Sequence, residues 1–303
     1  MTEASTQAPL LASVVVAVKG DGRVRRLLDR LLHQTVPADV YEVIVVENGS
    51  AHLADVDGLG GIVRYLHDPE PNSAVARNMG LAAARGRYLL LTDADCVPEA
   101  DWIERMTARL SAGELAAVGG FIGKYNPTSW AQKYAITVVD GQRGLNYLPA
   151  LHLPYIVAAN AGFVIEAVRE VGGFDRELRS GNDVDVCYKL GLAGHCLGVA
   201  HDAVVWHEDR PTVVAHFRRF RFYAIYQVLL FAKYRHVSGR RFVVDGYPLR
   251  RTTDALLAAP RGLIRLAAGD PGPLSRAVLQ VVEAAGVLAG ELEGAARYHQ
   301  LYI

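Results

Sequence analysis

Two aspartates separated by one residue follow an apolar run in the first third of the chain. Tyr88 to Leu91 is typical of a buried strand, and Asp93 and Asp95 come directly after it. Adjacent carboxylates repel each other unless positive charge lies between them, and open α/β sheets bind ligands outside the carboxyl ends of their strands. The spacing therefore indicates a divalent cation that carries a phosphate-bearing ligand. An isolated Asp-x-Asp also fits a solvated acidic turn, so the context must decide.

Composition narrows the class of protein. The 303 residues contain 32 Lys plus Arg against 32 Asp plus Glu, so no global charge favours nucleic acid as a partner. The three cysteines, Cys96, Cys187 and Cys196, form an odd set without Cys-x-x-Cys spacing, which predicts free thiols and a cytoplasmic location. Residues 1–10 are small and polar and predict a flexible tail. No stretch approaches the roughly 20 apolar residues that span a bilayer.

Strands and helices alternate in the first half of the sequence. Buried-strand patterns occur at Ser13 to Val18, Val43 to Val46, Ile62 to Leu66 and Tyr88 to Leu91, with helical spacing between the first two and from Ser73 to Arg85. This alternation predicts parallel βαβ units, a sheet with helices on both faces, and strand ends that meet at one edge.

The alternation weakens after Asp95. The pattern predicts helices at Trp102 to Leu110, Val184 to Ala193 and Pro211 to about Tyr234, strands at Ala117 to Phe121 and Ala203 to Trp206, an irregular stretch from Lys124 to Ala158, and helices after Asp254 that are interrupted at Gly269 to Pro273. Long irregular stretches inside a domain commonly shape a binding surface.

Several short motifs, in this order and spacing, carry a family resemblance. They are the strand end Val45-Val46-Glu47-Asn48-Gly49-Ser50, then Ala76-Arg77-Asn78, Asp93-Ala94-Asp95, Gly172-Gly173-Phe174-Asp175, Gly181-Asn182-Asp183 and Val205-Trp206-His207. From about Ser13 to Tyr226 the chain resembles the inverting family 2 glycosyltransferases. The resemblance implies an α/β GT-A fold, Rossmann-like with a mostly parallel central sheet and flanking helices. It also implies a nucleotide-sugar-binding half at 11–117, an acceptor-binding half at 118–210 and a C-terminal helical region at 211–303.

The resemblance assigns the donor side to residues at the strand ends. A Mn²⁺ or Mg²⁺ ion held by Asp95, with Asp93 near the metal or the ribose, would neutralise a departing diphosphate. Arg77 would reach the nucleotide, although a surface salt bridge is the alternative. Glu47 stands where relatives have the aspartate that contacts the base, and uridine is the base expected. The nucleotide loop that includes Ala17 and Lys19 departs from the family's Pro-Thr-Tyr-Asn pattern.

The resemblance also assigns a base to the acceptor side. Asp183 would take the proton of the acceptor hydroxyl in a single displacement that inverts the anomeric centre. The alternative for Asp183, and for Asp185, is a helix cap near Val184. Asn182 stands where relatives carry glutamate, which could alter acceptor contacts or the pKa of Asp183.

Other candidates keep two interpretations each. His207 stands where relatives place a histidine facing the metal, and it could equally be structural. Arg218 and Arg219 could cover the phosphates, or form an amphipathic face on anionic lipid. Asn160 and Gly162 would line the sugar and acceptor pocket, and Trp130 could stack on an acceptor ring or pack in the core.

The expected partners are a nucleotide-diphosphate sugar and a small-molecule or glycan acceptor, with a homodimer and peripheral contact with the inner face of the membrane left open. Two other functions compete with this interpretation. An NAD-dependent oxidoreductase would explain Gly20-Asp21-Gly22 after a strand, but Arg25 occupies the third glycine position of that motif. A noncatalytic nucleotide-sugar-binding protein would not require Asp93, Asp95 and Asp183 together.

Overall fold

The computed structural model describes residues 10–50, 61–135, 144–148 and 150–302. Over these residues the chain forms an α/β sheet followed by long helices. The elements, in chain order, are β1 (Leu10–Val18), α1 (Val24–Leu32), β2 (Tyr41–Asn48), β3 (Val63–Asp68), α2 (Ser73–Ala83), β4 (Gly86–Thr92), β5 (Cys96–Pro98), α3 (Trp102–Ser111), β6 (Ala117–Lys124), α4 (Trp130–Tyr134), β7 (Asn146–Tyr147), β8 (Pro154–Tyr155), β9 (Asn160–Val164), α5 (Ile165–Glu170), α6 (Asn182–Leu192), β10 (Leu197–His207), α7 (Val213–Ser238), α8 (Tyr247–Ala267) and α9 (Gly272–Tyr298).

One eight-stranded sheet has the order β3-β2-β1-β4-β9-β6-β10-β5. The pairs β3–β2, β2–β1, β1–β4 and β6–β10 are parallel, whereas β9 runs antiparallel to both β4 and β6. Six strands therefore point the same way, and their carboxyl ends form one edge, called here the carboxyl edge. The sequence predicts the mostly parallel sheet correctly, but it does not predict β9.

Alternate residues of the central strands pack into two hydrophobic cores, one on each face of the sheet. Val14, Val43 and Leu90 face the cluster that includes α1 and α3, while Ile44 and Leu89 face the cluster that includes α2, α6 and α7. Since both faces are covered by helices, these strands read as unbroken apolar runs, as parallel strands usually do.

Several element bounds differ from the expectation. β10 is eleven residues long rather than four, with an irregularity between Ala200 and Val204. Pro211 precedes α7 instead of forming its first turn, because Thr212 caps the helix by accepting a hydrogen bond from the Ala215 N–H. The predicted break at Gly269 to Pro273 separates α8 from α9, as expected. Residues 1–9, most of the expected tail, lie outside the described residues, and Leu10 already belongs to β1.

Glycines bring α9 unusually close to α7. A Cβ built on Gly290 would overlap the carbonyl oxygen of Arg221 and lie 2.7 Å from the Ala224 Cβ. Gly286 and Gly294, four residues away on either side, approach the Phe217 and Ile225 carbonyl oxygens in the same manner, at 2.8 and 2.9 Å. This spacing places three glycines on one face of α9 and fixes the position of α7 against it. Among the described helices, none combines the length and hydrophobicity needed to cross a bilayer.

Replacing Gly290 with alanine is expected to lower the free energy of unfolding by about 1–3 kcal/mol, because the added methyl group overpacks the α7–α9 contact. Denaturant unfolding followed by circular dichroism would measure the change. Gly191→Ala is the matched control: Gly191 lies in α6 with open space around it, so alanine there should be neutral or stabilise by up to about 1 kcal/mol. Equal effects at the two glycines would contradict the close packing.

A buried acid in α9 is expected to make the stability of the protein depend on pH. Glu291 of α9 is fully buried, and burial, together with the neighbouring carboxyl of Asp245, raises its pKa to about 9. The folded state therefore holds this proton more tightly than the unfolded chain does, so the stabilisation is complete below about pH 4.5 and is lost as the pH rises towards 9.

Glu291→Gln should remove most of this dependence, since glutamine keeps the shape of the protonated acid. Unfolding free energies at pH 5.5 and pH 8 are the measurement. The variant should be the more stable protein at pH 8, and its advantage should shrink at pH 5.5, at up to about 1.4 kcal/mol per pH unit. A difference that stays constant with pH would show that Glu291 does not hold a proton in the folded protein.

Candidate active site

Acidic and basic side chains meet at the carboxyl edge of the sheet. β4 ends at Thr92, and the turn after it carries Asp93 and Asp95. β5 then pairs antiparallel with the end of β10, where His207 lies opposite Cys96 and the Glu208 N–H donates to the Asp95 carbonyl oxygen. This short pairing explains how residues more than a hundred positions apart become neighbours.

The Asp95 carboxylate is almost fully buried and lies among basic groups. Its Oδ1 is 3.5 Å from His207 Nε2, and its Oδ2 is 3.4 Å from the Arg23 guanidinium. The Arg210 guanidinium lies 4.0 Å from the same Oδ2. Desolvation raises the pKa of the neighbouring Asp93, and the charge of Asp95 adds to this effect, whereas Arg77 opposes it.

Arg77 connects the acidic turn after β4 to the start of α6. Its side chain extends from α2, is nearly buried, and donates to the Asn182 Oδ1 at 2.6 Å through one terminal nitrogen. The other terminal nitrogen lies 3.4 Å from Asp93 Oδ1. Asn182 also donates to the Ser73 hydroxyl and the Leu178 carbonyl. The Asn182 amide is therefore occupied in positioning Arg77, which differs from the acceptor contact expected for it.

Asp183 is the next residue at the start of α6 and is half-buried. Its Oδ2 accepts a hydrogen bond from the Ala158 N–H at 2.9 Å, and its Oδ1 accepts from the Val184 N–H at 3.0 Å. α6 begins at Asn182, with Gly181 as its N-cap and no side-chain cap, so Asp183 is not the helix cap of the alternative interpretation, and each of its oxygens keeps a free lone pair. Asp185 points the other way: it is fully buried, and Lys233 and Tyr234 of α7 donate to it at 2.6 and 2.7 Å.

The nucleotide loop is held by Glu47 at the end of β2. Glu47 is fully buried, and its Oε1 accepts from the Gly20 N–H at 2.9 Å and from the Ser50 hydroxyl. Within the described structure no donor reaches its Oε2, although that oxygen is buried. Ala17 lies beside Val46 at the end of β1, and Lys19 follows as an exposed residue.

Two arginines outside the family motifs also lie at this edge. Arg23 forms an ion pair with Asp21 at 2.6 Å, which holds the pKa of Asp21 below its ordinary value, and lies 3.4 Å from Glu208. Arg26 pairs with Glu208 at 2.7 Å. Arg23 is the N-cap of α1 and Arg26 lies in its first turn, so the sequence signal for both was a cluster of basic residues at the start of a helix that follows a strand.

Arg218 and Arg219, which were expected to cover the phosphates, do not lie beside Asp95. Arg219 is nearly buried and pairs with Asp209 at 2.6 Å, which fastens α7 to the segment after His207. Arg218 is exposed, and Phe220 packs against α9. The run is therefore not a single exposed face on which lipid could lie, and it is Arg210 and Arg23 that approach Asp95.

Three expected acceptor residues are engaged within the fold. Asn160 is fully buried: it accepts from the Trp102 indole N–H and donates to the carbonyls of Phe121 and Ala203. Gly162 lies against Leu90 and Leu110 in the core, so neither residue lines an open pocket. Trp130 is 41% exposed, and its indole N–H donates to Ser275 of α9 at 2.9 Å, so this side chain ties α4 to the C-terminal helices.

Comparisons with known proteins agree with this fold. The crystal structure of S. aureus TarS superposes with a TM-score of 0.53 over 92% of this chain and 55% of that chain, at 14% sequence identity. The mostly parallel sheet with helices on both faces is a GT-A fold. Residues 13–172 match the family described as Glycosyl transferase family 2, and the chain belongs to this family.

Two relatives illustrate the range of that family. A pre-mycofactocin glycosyltransferase of Mycobacterium tuberculosis strain H37Rv is 32% identical over 189 residues, which are 60% of this chain and 40% of that protein. Glycosyltransferase AglE of Haloferax volcanii is 29% identical over 214 residues, covering 66% of this chain and 67% of that protein. The match therefore spans less than half the length of the mycobacterial relative.

Proposed function

We propose that the protein transfers a sugar from a nucleotide diphosphate to an acceptor hydroxyl with inversion at the anomeric carbon. The observation that carries the proposal is the Arg77 bridge. One guanidinium contacts both Asp93, beside the acidic turn, and Asn182, next to Asp183. It thereby holds a candidate phosphate site and a candidate base in one fixed arrangement, as a reaction between two bound substrates requires.

Asp183 is the proposed general base. The backbone N–H groups of Ala158 and Val184 orient its carboxylate, and the remaining lone pairs can accept the proton of the acceptor hydroxyl. The deprotonated oxygen forms a bond to the anomeric carbon while the bond from that carbon to the diphosphate oxygen breaks. The leaving diphosphate carries away the electron pair, so charge near Asp95 must stabilise it.

Asp95 and His207 are suited to hold Mn²⁺ or Mg²⁺ during this step. Their oxygen and nitrogen atoms lie 3.5 Å apart, and the two arginines beside the same carboxylate support Asp95 as a group that pairs with positive charge. No group of three acidic, His or Cys side chains forms a ready metal site among the described residues. This fits an ion bound by one or two protein ligands plus substrate phosphates, with Asp93 alongside. When bound, the ion would neutralise the leaving diphosphate.

Glu47 supports a base with an imino N–H, such as uracil. Its buried Oε2 has no donor among the described residues, and a buried acceptor left unpaired is costly. Uracil carries an N–H at position 3, whereas cytosine has a lone pair there. Guanine also carries an imino N–H, so this contact favours uracil or guanine over cytosine, and the resemblance of the Glu47 position to the base-contacting position of relatives favours uracil. We therefore propose a UDP-sugar as the donor, and we expect CDP to bind much more weakly than UDP.

Calorimetric titration tests the proposal. UDP, CDP, GDP and NAD would each be titrated into the protein with Mn²⁺ and with chelator, and UDP-sugars would then be screened for transfer. Preferential UDP binding that is strengthened by Mn²⁺ would support the donor assignment. Binding of NAD in preference to UDP would overturn it. The dinucleotide-binding alternative has no support from the family match, which is to transferases.

A further inference from the structure

Helix α8 exposes its large aliphatic side chains and buries its small ones. Pro248, Ala255 and Gly262, spaced seven residues apart, are its buried residues, and Gly262 lies against Leu274 of α9. The exposed aliphatic residues on the other side, with their exposed fractions, are Leu249 (74%), Leu256 (65%), Leu257 (72%), Leu263 (58%) and Ile264 (70%). In a helix that only packs on its own domain, the large apolar residues would face inwards.

The exposed aliphatic residues form one stripe. Leu249, Leu256 and Leu263 are spaced seven residues apart, and so are Leu257 and Ile264, which lie next to them on the helix surface. A contiguous stripe of five exposed aliphatic side chains, in contrast to scattered single residues, marks an interaction site. Immediately before α8, Phe242 and Val244 are exposed as well, at 57% and 79%.

This segment is also strongly basic. Residues 240–266 contain six arginines and two aspartates, with no lysine or glutamate, whereas the whole chain balances 32 basic against 32 acidic residues. Five of the arginines are exposed: Arg240, Arg241, Arg250, Arg261 and Arg265. Arg250 and Arg261 are eleven residues apart, about three helical turns, so both lie along the same border of the aliphatic stripe.

We propose that this basic and aliphatic surface, formed by α8 and residues 240–246, docks on an anionic lipid bilayer. An amphipathic helix with leucines on one side and arginines beside them lies in the interface plane, with its apolar side among the acyl chains and its cations among anionic headgroups. The arginine border selects this occupant, since the rest of the chain is net acidic, with 26 basic against 30 acidic residues.

A second copy of the chain fits the same surface less well. In a two-fold symmetric dimer in which α8 of one copy packs antiparallel on α8 of the other, each patch meets its own equivalent and the arginine borders of the two copies approach each other. Like charges placed together in a contact oppose association. The two aspartates of the segment are too few to compensate six arginines in each copy.

Vesicle flotation with the full chain tests the proposal. The probes are vesicles of phosphatidylcholine alone and vesicles with added phosphatidylglycerol, each at low and high salt. We expect the protein to float with the anionic vesicles, to float much less with the neutral ones, and to lose binding as salt rises. Equal binding to both kinds of vesicle, or to neither, would overturn the proposal.

Two variants and a matched control locate the surface. Leu257→Glu combined with Ile264→Glu should reduce flotation with anionic vesicles at least tenfold, and so should Arg250→Glu combined with Arg261→Glu. Leu192→Glu is the control, since Leu192 is also an exposed leucine, at 52%, but lies on α6, and this variant should bind like the unmodified protein. Thermal unfolding of each variant verifies folding, which substitutions at exposed positions should preserve.

Light scattering after size-exclusion chromatography, without lipid, tests whether a second copy of the chain covers this surface instead. A monomer is the expected result. A dimer that dissociates in the Leu257→Glu, Ile264→Glu variant would assign the surface to a second copy and overturn docking on lipid. None of these readouts depends on sugar transfer, so the membrane proposal and the proposed function can fail separately.

Discussion

Asp183→Asn is expected to lower the rate of sugar transfer by about 10²–10⁴-fold, the range that a general base contributes. Asparagine has nearly the same shape, but its amide cannot accept the proton of the acceptor hydroxyl. Donor binding should stay within a few-fold, because Arg77 and the acidic turn are not altered. Single-turnover transfer, together with calorimetric titration of UDP, would separate the two effects.

The matched control for this substitution is Asp202→Asn. The Asp202 side chain lies on β10, is 63% exposed, and forms a long ion pair with Arg105 at 3.5 Å, so the variant should retain normal transfer. Thermal unfolding of Asp183→Asn is needed as well, since the variant exchanges one acceptor facing a backbone N–H for an amide. Near-normal turnover in a folded Asp183→Asn protein would exclude Asp183 as the base.

Asp95→Asn is expected to abolish the strengthening of UDP binding by Mn²⁺ and to reduce transfer at least about a hundredfold, because the leaving diphosphate loses its counter-charge. In chelator the same variant should bind UDP as well as the unmodified protein or better. Arg23 and Arg210 would then lie next to a neutral amide, and the positive potential around the diphosphate would increase.

This opposite behaviour in the two conditions distinguishes a metal ligand from a structural residue, whose loss would weaken binding in both. Glu208→Gln provides the comparison, since Glu208 contacts the same Arg23 at 3.4 Å but lies outside the Asp93–Asp95 turn. That variant should keep its response to Mn²⁺. If Asp95→Asn keeps the response too, the metal is not held where we propose.

The strands at the centre of the sheet could be predicted because burial on both faces requires a continuous run of apolar residues. β9 could not, since its sequence, Asn-Ala-Gly-Phe-Val, has small residues and no apolar run. It is a strand because β4 and β6 offer it two open edges, which is a property of the assembled sheet. β10 was predicted too short because Gly198, His201 and Asp202 interrupt the apolar pattern.

In the candidate site, too, some residues could be predicted from the sequence and others could not. The acidic turn, Arg77 and Asp183 could be selected because motif order carries information along the chain. The partners of these residues could not, since Arg23 lies 72 positions from Asp95 and Asn182 lies 105 positions from Arg77. Asn160 illustrates the converse error: a motif position near the pocket holds a buried amide whose three hydrogen bonds join neighbouring elements.

The position of β9 between β4 and β6 affects how the chain folds during its synthesis. β1, β2 and β4 can pair as soon as they leave the ribosome, but the second edge of β4 is completed only by β9, 68 residues after Thr92. At about 5–20 residues per second, the unpaired backbone edge of β4 stays exposed for roughly 3–14 s. A ribosome that pauses within this interval would prolong the exposure of an aggregation-prone strand, so translation speed between Thr92 and Asn160 should affect the yield of soluble protein.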